Sequence, residues 1–304
     1  MKKSTRADVK VGFTCNNCCK FCAQSNKRDK YKDKTEFEIK RIIDESVKEH
    51  EEIVFTGGEP TMRNELPELV RYAKEKGFKK IHIQSNGRRF AYKDYCEELI
   101  KKGANIFGLA IHGHNAETHE KLTNATGSFN QTLQGIKNLV NLEQIVFINI
   151  VVNKLNYKHL PDIADILIDA GVNKYQFAFM HINPIIADDK DLIEEIVPQK
   201  SKVIPYIKEG LKRGIEAGIR VSTEAIPFCL LEDYKEYISE NGGIPNGDVY
   251  NETKVIKDFE NYRKKEGKKK AEKCKQCKYF KICEGPWKEY PEIFGWEEFK
   301  PVRD

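Results

Sequence analysis

Thr14-Cys15-Asn16-Asn17-Cys18-Cys19-Lys20-Phe21-Cys22 sets three thiols at the spacing C-x3-C-x2-C on one short loop, through Cys15, Cys19 and Cys22. The run before it, residues 9–14, is β-branched and aromatic and predicts a strand that ends where the thiols begin. Three thiolates on a loop suit a [4Fe–4S] cluster, which ordinarily takes four protein ligands. With three, one iron is left open, and an open coordination position is the catalytic arrangement, as it is for zinc. The alternative is a closed zinc site completed by a distant ligand. Cys18 permits a second register, Cys15 with Cys18.

Outward from this loop the chain alternates. Strands are predicted at residues 9–14, 52–55, 80–84, 105–111, 144–152 and 174–179, and helices at 36–49, 66–76, 92–102, 128–142 and 160–170. Gly77, Gly103 and Gly171 stand where helix C-caps belong. Six β–α repeats of this length imply an α/β protein, a parallel sheet with helices outside and apolar strands buried on both faces. A long helix over 198–217 and one more strand over 219–225 follow. Then the rhythm breaks, with turn signals at Asn241-Gly242-Gly243 and Pro245-Asn246-Gly247. We expect one domain over residues 1–217 and a second over 218–304, the latter too loop-rich to bury a core without a metal or a disulfide.

Composition narrows the class. The 304 residues are 39% hydrophobic and 33% charged, and no apolar run approaches the roughly 20 residues that span a bilayer. No apolar stretch follows the basic start Met1-Lys2-Lys3-Ser4-Thr5-Arg6, so no signal peptide is read and the expected location is cytoplasmic, with no membrane partner. The net charge of +5 is mild, and Arg263-Lys264-Lys265 and Lys268-Lys269-Lys270 read as a solvated loop, which argues against nucleic acid. Nine cysteines in a reducing compartment point to metal or catalysis rather than disulfides.

At Cys15, Cys19, Phe21 and Cys22 the sequence resembles the radical S-adenosylmethionine (radical SAM) superfamily, whose signature is C-x3-C-x-aromatic-C after the first strand of a partial (β/α)6, TIM-like barrel. Phe21 favours this register over Cys18. A second motif agrees: Ile53-Val54-Phe55 runs into Thr56-Gly57-Gly58-Glu59-Pro60, the segment that in the family holds the methionine amino group. The glycines would let backbone carbonyls approach the ammonium, and Glu59 would balance charge nearby. Weaker matches are Gln84-Ser85-Asn86-Gly87 after strand three, Asn153 after strand five and Phe179-Met180-His181 after strand six. Ala110 stands after strand four where relatives often show serine. The resemblance implies S-adenosylmethionine bound near Phe21, Gly57, Gly58, Glu59, Pro60, Ser85, Asn86 and Asn153. It further implies reductive cleavage to a 5′-deoxyadenosyl radical that removes a substrate hydrogen.

Cys274-Lys275-Gln276-Cys277-Lys278-Tyr279-Phe280-Lys281-Ile282-Cys283 is C-x2-C-x5-C, and Cys229 can add a fourth thiolate. By spacing alone a structural zinc and an auxiliary [4Fe–4S] cluster both fit. The run resembles the SPASM/twitch extension found after many radical SAM barrels, which favours the cluster. A full SPASM pattern would continue with a cysteine where Trp287 stands, so the extension is expected to be twitch-like, with one auxiliary cluster.

The expected function is therefore a radical SAM enzyme with a peptide or protein substrate. A small molecule or an RNA substrate, and a non-catalytic iron–sulfur electron-transfer protein, are the alternatives. An electron donor such as ferredoxin or flavodoxin is the expected partner. His112, close after strand four, is the candidate for a proton donor or substrate contact, against a reading as a loop residue. Cys96 reads as a small core side chain.

Overall fold

The computed structural model describes residues 6–242 and 246–303. Part of each turn signal near 241–247 lies outside the described residues. Nine strands form one sheet: β1 (Arg6–Lys10), β2 (Glu52–Thr56), β3 (Lys80–Ser85), β4 (Ile106–Ala110), β5 (Ile145–Val152), β6 (Lys174–Phe179), β7 (Arg220–Glu224), β8 (Gly247–Tyr250) and β9 (Val255–Ile256). Their order is β7-β6-β5-β4-β3-β2-β1-β8-β9. Every neighbouring pair is parallel except β8 with β9. Sequential parallel strands joined by helices give the barrel-type α/β fold expected from the β–α rhythm.

The crossover helices are α1 (Glu36–Ser46), α2 (Leu66–Lys76), α3 (Lys93–Lys102), α4 (Ala116–Thr123), α5 (Ser128–Asn141), α6 (Leu160–Asp169), α7 (Pro184–Ala187), α8 (Lys190–Ile196) and α9 (Lys200–Glu216). Local chemistry starts and stops them. Thr35 and Glu38 close a capping box on α1. Gly77 and Gly103 end α2 and α3 in the left-handed conformation. The short helices α4, α7 and α8 have no counterpart in the hydrophobic periodicity, because each carries too few apolar positions to show a period. The core lies between strands and helices: Val9, Phe55, Ile83, Phe107, Ile148 and Phe177 are buried with Ile39, Leu69, Leu99, Ile136 and Leu167.

Two expectations need correcting. The first strand ends at Lys10, not Thr14; Val11 still donates its N–H to the Thr56 carbonyl of β2 at 2.8 Å, and the chain then runs as a loop toward Cys15. The sheet is also not apolar on both faces. In β1, Ala7 and Val9 are buried while Arg6, Asp8 and Lys10 are only partly so. Arg6 pairs with Asp8, and His82 lies 3.5 Å from Glu52. The pleat turns alternate residues inward, and in the first strands those residues are ionisable.

The unit expected from residue 218 starts inside the same sheet. β7 pairs with β6, and β8 adds in parallel to the free edge of β1. Beyond β9 the chain is short turns and single helical turns. It is tied to the barrel by the Tyr290 hydroxyl, which accepts the Lys200 backbone N–H at 2.6 Å, and by Trp287, stacked on His181 at 4.3 Å.

Candidate functional site

Residues at the carboxyl ends of β2, β3 and β4 converge with the cysteine loop, on the face where β/α barrels build their sites. Cys15, Cys19 and Cys22 line one cavity of about 170 Å³ with Gly57, Gly58, Glu59, Ser85, Asn86, Ala110 and His112. The loop is held on both sides. The backbone N–H groups of Cys18 and Lys20 donate to the carbonyls of Thr123 and Leu122, at the end of α4. Arg88, just past β3, donates to the Asn16 carbonyl and to Asn17 Oδ1. Asn86 Nδ2 donates to Asn16 Oδ1 at 2.7 Å.

The segment after β2 is zipped to the segment that leads into Cys15. Gly58 N–H donates to the Gly12 carbonyl and Glu59 N–H to the Thr14 carbonyl, both at 2.8 Å. A Cβ on Gly57 would stand 2.4 Å from the Gly12 carbonyl, and one on Gly58 would stand 2.3 Å from that of Thr14. The glycines are required by this backbone approach, a reason distinct from access for a ligand. Pro60 is buried and starts a single helical turn.

Glu59 is 3% exposed and faces protein. Its Oε1 accepts the Thr61 N–H at 3.0 Å, the Thr61 hydroxyl at 2.6 Å and the Ser85 hydroxyl at 2.8 Å; its Oε2 accepts the Asn86 N–H at 2.6 Å. Burial raises its pKa against these four donors. The carboxyl brackets the ends of β2 and β3 and so sets where Ser85 and Asn86 stand.

His112 lies deep in the wall. Its Nδ1 accepts the Val151 N–H at 3.2 Å, its backbone N–H donates to His119 Nδ1, and its ring meets the Phe21 ring edge-on at 4.7 Å. Burial, then the neighbouring His119, holds it well below the ordinary histidine pKa. With Nδ1 accepting, the neutral ring carries its proton on Nε2. Phe21, Pro60 and Asn153 do not line the cavity. Phe21 packs beneath it through His112, and the Asn153 amide is spent on Val151 O and Leu155 N–H in its own turn. The lining residues outside the expected set are Asn17, Arg28, Thr56, Gln84 and Ala110. Thr56, the last residue of β2, was readable from its place before Gly57. Arg28 comes from a loop with no periodic signal.

The thiols suit an electrophilic metal group. Burial pushes Cys19 up to about 12 and raises Cys15, with the other thiols adding to both. Such crowding of thiolates is relieved when they ligate a cation. Backbone N–H groups of Asn17 and Gln24 reach the sulfurs of Cys15 and Cys22 at 3.4 Å.

A second set lies apart. Cys229, Cys274, Cys277 and Cys283 line an apolar cavity of about 30 Å³ with Phe228, Phe280, Trp296 and Phe299. Burial, then the other three thiols, pushes Cys229 up to about 12. Gly285 N–H reaches Cys283 Sγ, and Val302 N–H reaches Cys277 Sγ, both at 3.4 Å. Cys18 is exposed, and buried Cys96 donates its thiol to the Phe90 carbonyl.

A parallel barrel with three thiols of one loop and a glycine-lined strand end at its mouth defines a cysteine-ligated barrel enzyme. The sequence profile of the radical SAM superfamily matches residues 9–167, and the chain belongs to that superfamily. It is thus an enzyme class that works with a [4Fe–4S] cluster and S-adenosylmethionine. Fe-coproporphyrin III synthase of Methanosarcina barkeri is 30% identical over 207 residues, 67% of this chain and 51% of that protein. The chain therefore spans about half the length of this curated relative. Streptococcus suis SuiB bound to the precursor peptide SuiA has a similar fold, with a TM-score of 0.65 at 18% identity over 98% of this chain and 75% of SuiB. So has anSMEcpe with bound AdoMet and the Cp18Cys peptide, with a TM-score of 0.67 at 17% identity over 97% of this chain and 95% of that one. Among the described residues no helix is long and apolar enough to cross a membrane.

Proposed function

We propose that this radical SAM enzyme modifies a peptide or protein, with S-adenosylmethionine in the cavity lined by Gly57, Gly58, Ser85, Asn86 and His112. Cys15, Cys19 and Cys22 would hold the open cluster. When bound, that pair of cofactors supplies one-electron cleavage to a 5′-deoxyadenosyl radical, which takes a substrate hydrogen. The chain's own part is position. Glu59 fixes Ser85 and Asn86, Arg88 and Asn86 hold the thiol loop, and His112 sets a fixed neutral ring in the cavity wall.

The observation that carries the peptide reading is the extent of the structural likeness. Two proteins with peptides bound match over 97–98% of this chain. For that segment, taken as a unit within residues 218–304, we favour a twitch-like auxiliary [4Fe–4S] cluster over zinc. A zinc at about 2.3 Å from each sulfur needs thiolates roughly 3.8 Å apart. Among the described residues, no three of these sulfurs lie within 4.8 Å of one another. A cluster, with each thiolate on a different iron, accepts the wider spacing.

The test is anaerobic reconstitution, reduction and incubation with short peptides encoded beside this protein. The expected result is 5′-deoxyadenosine together with a change in peptide mass that requires S-adenosylmethionine. Cleavage with every such peptide unchanged would return the choice to a small molecule, the reading that the likeness to Fe-coproporphyrin III synthase favours.

A further inference from the structure

Residues 20–34 carry six basic side chains, Lys20, Lys27, Arg28, Lys30, Lys32 and Lys34, against two acidic ones, Asp29 and Asp33. The structure gives five of the six a place away from the thiols. Lys20 pairs with Glu195 at 2.6 Å and Lys27 with Glu252 at 2.8 Å. Lys34 donates to the carbonyls of Lys10 and Asn251. Lys30 and Lys32 are exposed. The sixth, Arg28, lines the cavity of Cys15, Cys19 and Cys22.

Local turns bring it there. The Ser25 hydroxyl donates to the Cys22 carbonyl at 2.9 Å, a single helical turn covers Ser25–Lys27, and the Lys30 N–H returns to the Lys27 carbonyl. The chain coils back toward the thiols at residue 28 instead of running away from them. Inside the cavity this charge is unspent. Arg28 Nε is buried without a hydrogen-bond partner, and the guanidinium makes no ion pair among the described residues. Glu59, the carboxyl among the lining residues, is committed to Thr61, Ser85 and Asn86. Burial raises the pKa of Cys15 and Cys19, and the charge of Arg28 acts the other way on both. A cation taken out of water is costly unless an anion faces it, and the anion available here is the thiolate set.

We infer that Arg28 holds the reduction potential of the cluster at Cys15, Cys19 and Cys22 above the value it would have without that charge. The inference rests on the open cluster proposed above. Reduction adds one electron, taken from the reductant, and no atom or proton changes hands. The site becomes more negative by one charge. A cation in the same cavity stabilises that state more than the oxidised one. No carboxylate pairs with Arg28, so its charge acts undiminished, whereas the charge of solvated Lys30 is screened.

The test is a redox titration of the reconstituted protein with dithionite, followed by electron paramagnetic resonance. The open cluster is identified as the one whose spectrum changes when S-adenosylmethionine is added to a reduced sample. The titration itself is run without S-adenosylmethionine, so that a lost cofactor contact cannot imitate the shift. Arg28→Gln and Arg28→Met should move the midpoint of that cluster to a more negative potential. Arg28→Lys should hold it near the wild-type value. Lys30→Gln, which removes an exposed charge from the same loop, should leave it unchanged. A wild-type midpoint in the neutral Arg28 variants overturns the proposal; weaker S-adenosylmethionine binding in those variants would then make Arg28 a contact of the cofactor's carboxylate. An equal shift in Lys30→Gln overturns it too, since the effect would belong to the charge of the whole loop. So does failure of both neutral variants to load iron, which would give Arg28 a part in assembly instead. Wild-type protein in which no cluster responds to S-adenosylmethionine removes the open-cluster reading, and this proposal with it.

Discussion

The Ser85 hydroxyl donates to Glu59 Oε1 at 2.8 Å, joining the loop after β2 to the end of β3 through a buried carboxyl. Glu59→Gln replaces an acceptor of four hydrogen bonds with a group that must present an NH2 to one of them. Hydrogen bonds to a charged acceptor contribute roughly 1.5–3 kcal/mol each, and a buried donor left unmade costs a similar amount. We expect a loss of about 2–4 kcal/mol in chemical unfolding and weaker S-adenosylmethionine binding by calorimetry. Unchanged binding in a folded Glu59→Gln protein would show that Ser85 and Asn86 do not depend on the bracket.

Gly58→Ala tests the backbone approach. The new methyl would meet the Thr14 carbonyl at 2.3 Å, and backbone on both sides cannot yield cheaply. Overpacking of this kind costs about 1–3 kcal/mol or more. Because the displaced segment leads into Cys15, iron incorporation should fall along with stability. Gly77→Ala serves as the comparison: no atom lies within 4 Å of its Cβ position, so it should show only the strain of a left-handed residue and load iron normally.

The two thiol sets should separate by metal content and activity. Wild type is expected to carry about eight irons and eight sulfides when reconstituted. Cys19→Ala should lose about half and all cofactor cleavage. Cys277→Ala should lose the other half, keep some cleavage and unfold more readily, since the cavity of Cys229, Cys274 and Cys283 joins the C-terminal segment. Bound zinc with four irons in wild type would decide against an auxiliary cluster.

Lys10 supplies a pH dependence. Burial, reinforced by Lys27, lowers its pKa to about 8 from the usual lysine value, with Glu252 opposing. A lysine whose folded pKa is depressed opposes folding while charged in both states, and the penalty fades as the folded form releases its proton first. Lys10→Met should therefore be more stable than wild type below pH 8. The gap should narrow as pH rises from about 8 to about 10.4, where the unfolded lysine also titrates. Urea midpoints of the two proteins across pH 7–10 check this; a constant gap would mean that Lys10 keeps its ordinary pKa.

Much of the site was legible because its parts are local. Cys15, Cys19 and Cys22 come from eight consecutive residues, and Gly57, Gly58 and Glu59 are contiguous. Four thiols drawn together from Cys229 and residues 274–283 were readable because cysteine is scarce and chemically distinctive. Arg28 was not, since nothing in a polar loop tells which of six basic residues turns inward. The role of His112 was left open by the sequence, and only the tertiary structure shows its ring fixed in the cavity wall by the Val151 and Phe21 contacts. The strand β8 was also hidden, because its four residues, between turns, carry too short a pattern to mark a strand.

By itself the sequence determined the β–α rhythm, the spacing of the thiols and the glycine pair after the second strand, because periodicity, ligand spacing and turn chemistry act between near neighbours. Tertiary structure alone decided the rest. It joined Glu59 to Ser85 and Asn86, extended the sheet beyond residue 217 through β7 and β8, and placed a polar face inside the barrel. These outcomes depend on which distant groups a buried carboxyl or an open strand edge meets. That is a property of packing and of the need to satisfy buried polar groups, which no local stretch of sequence encodes.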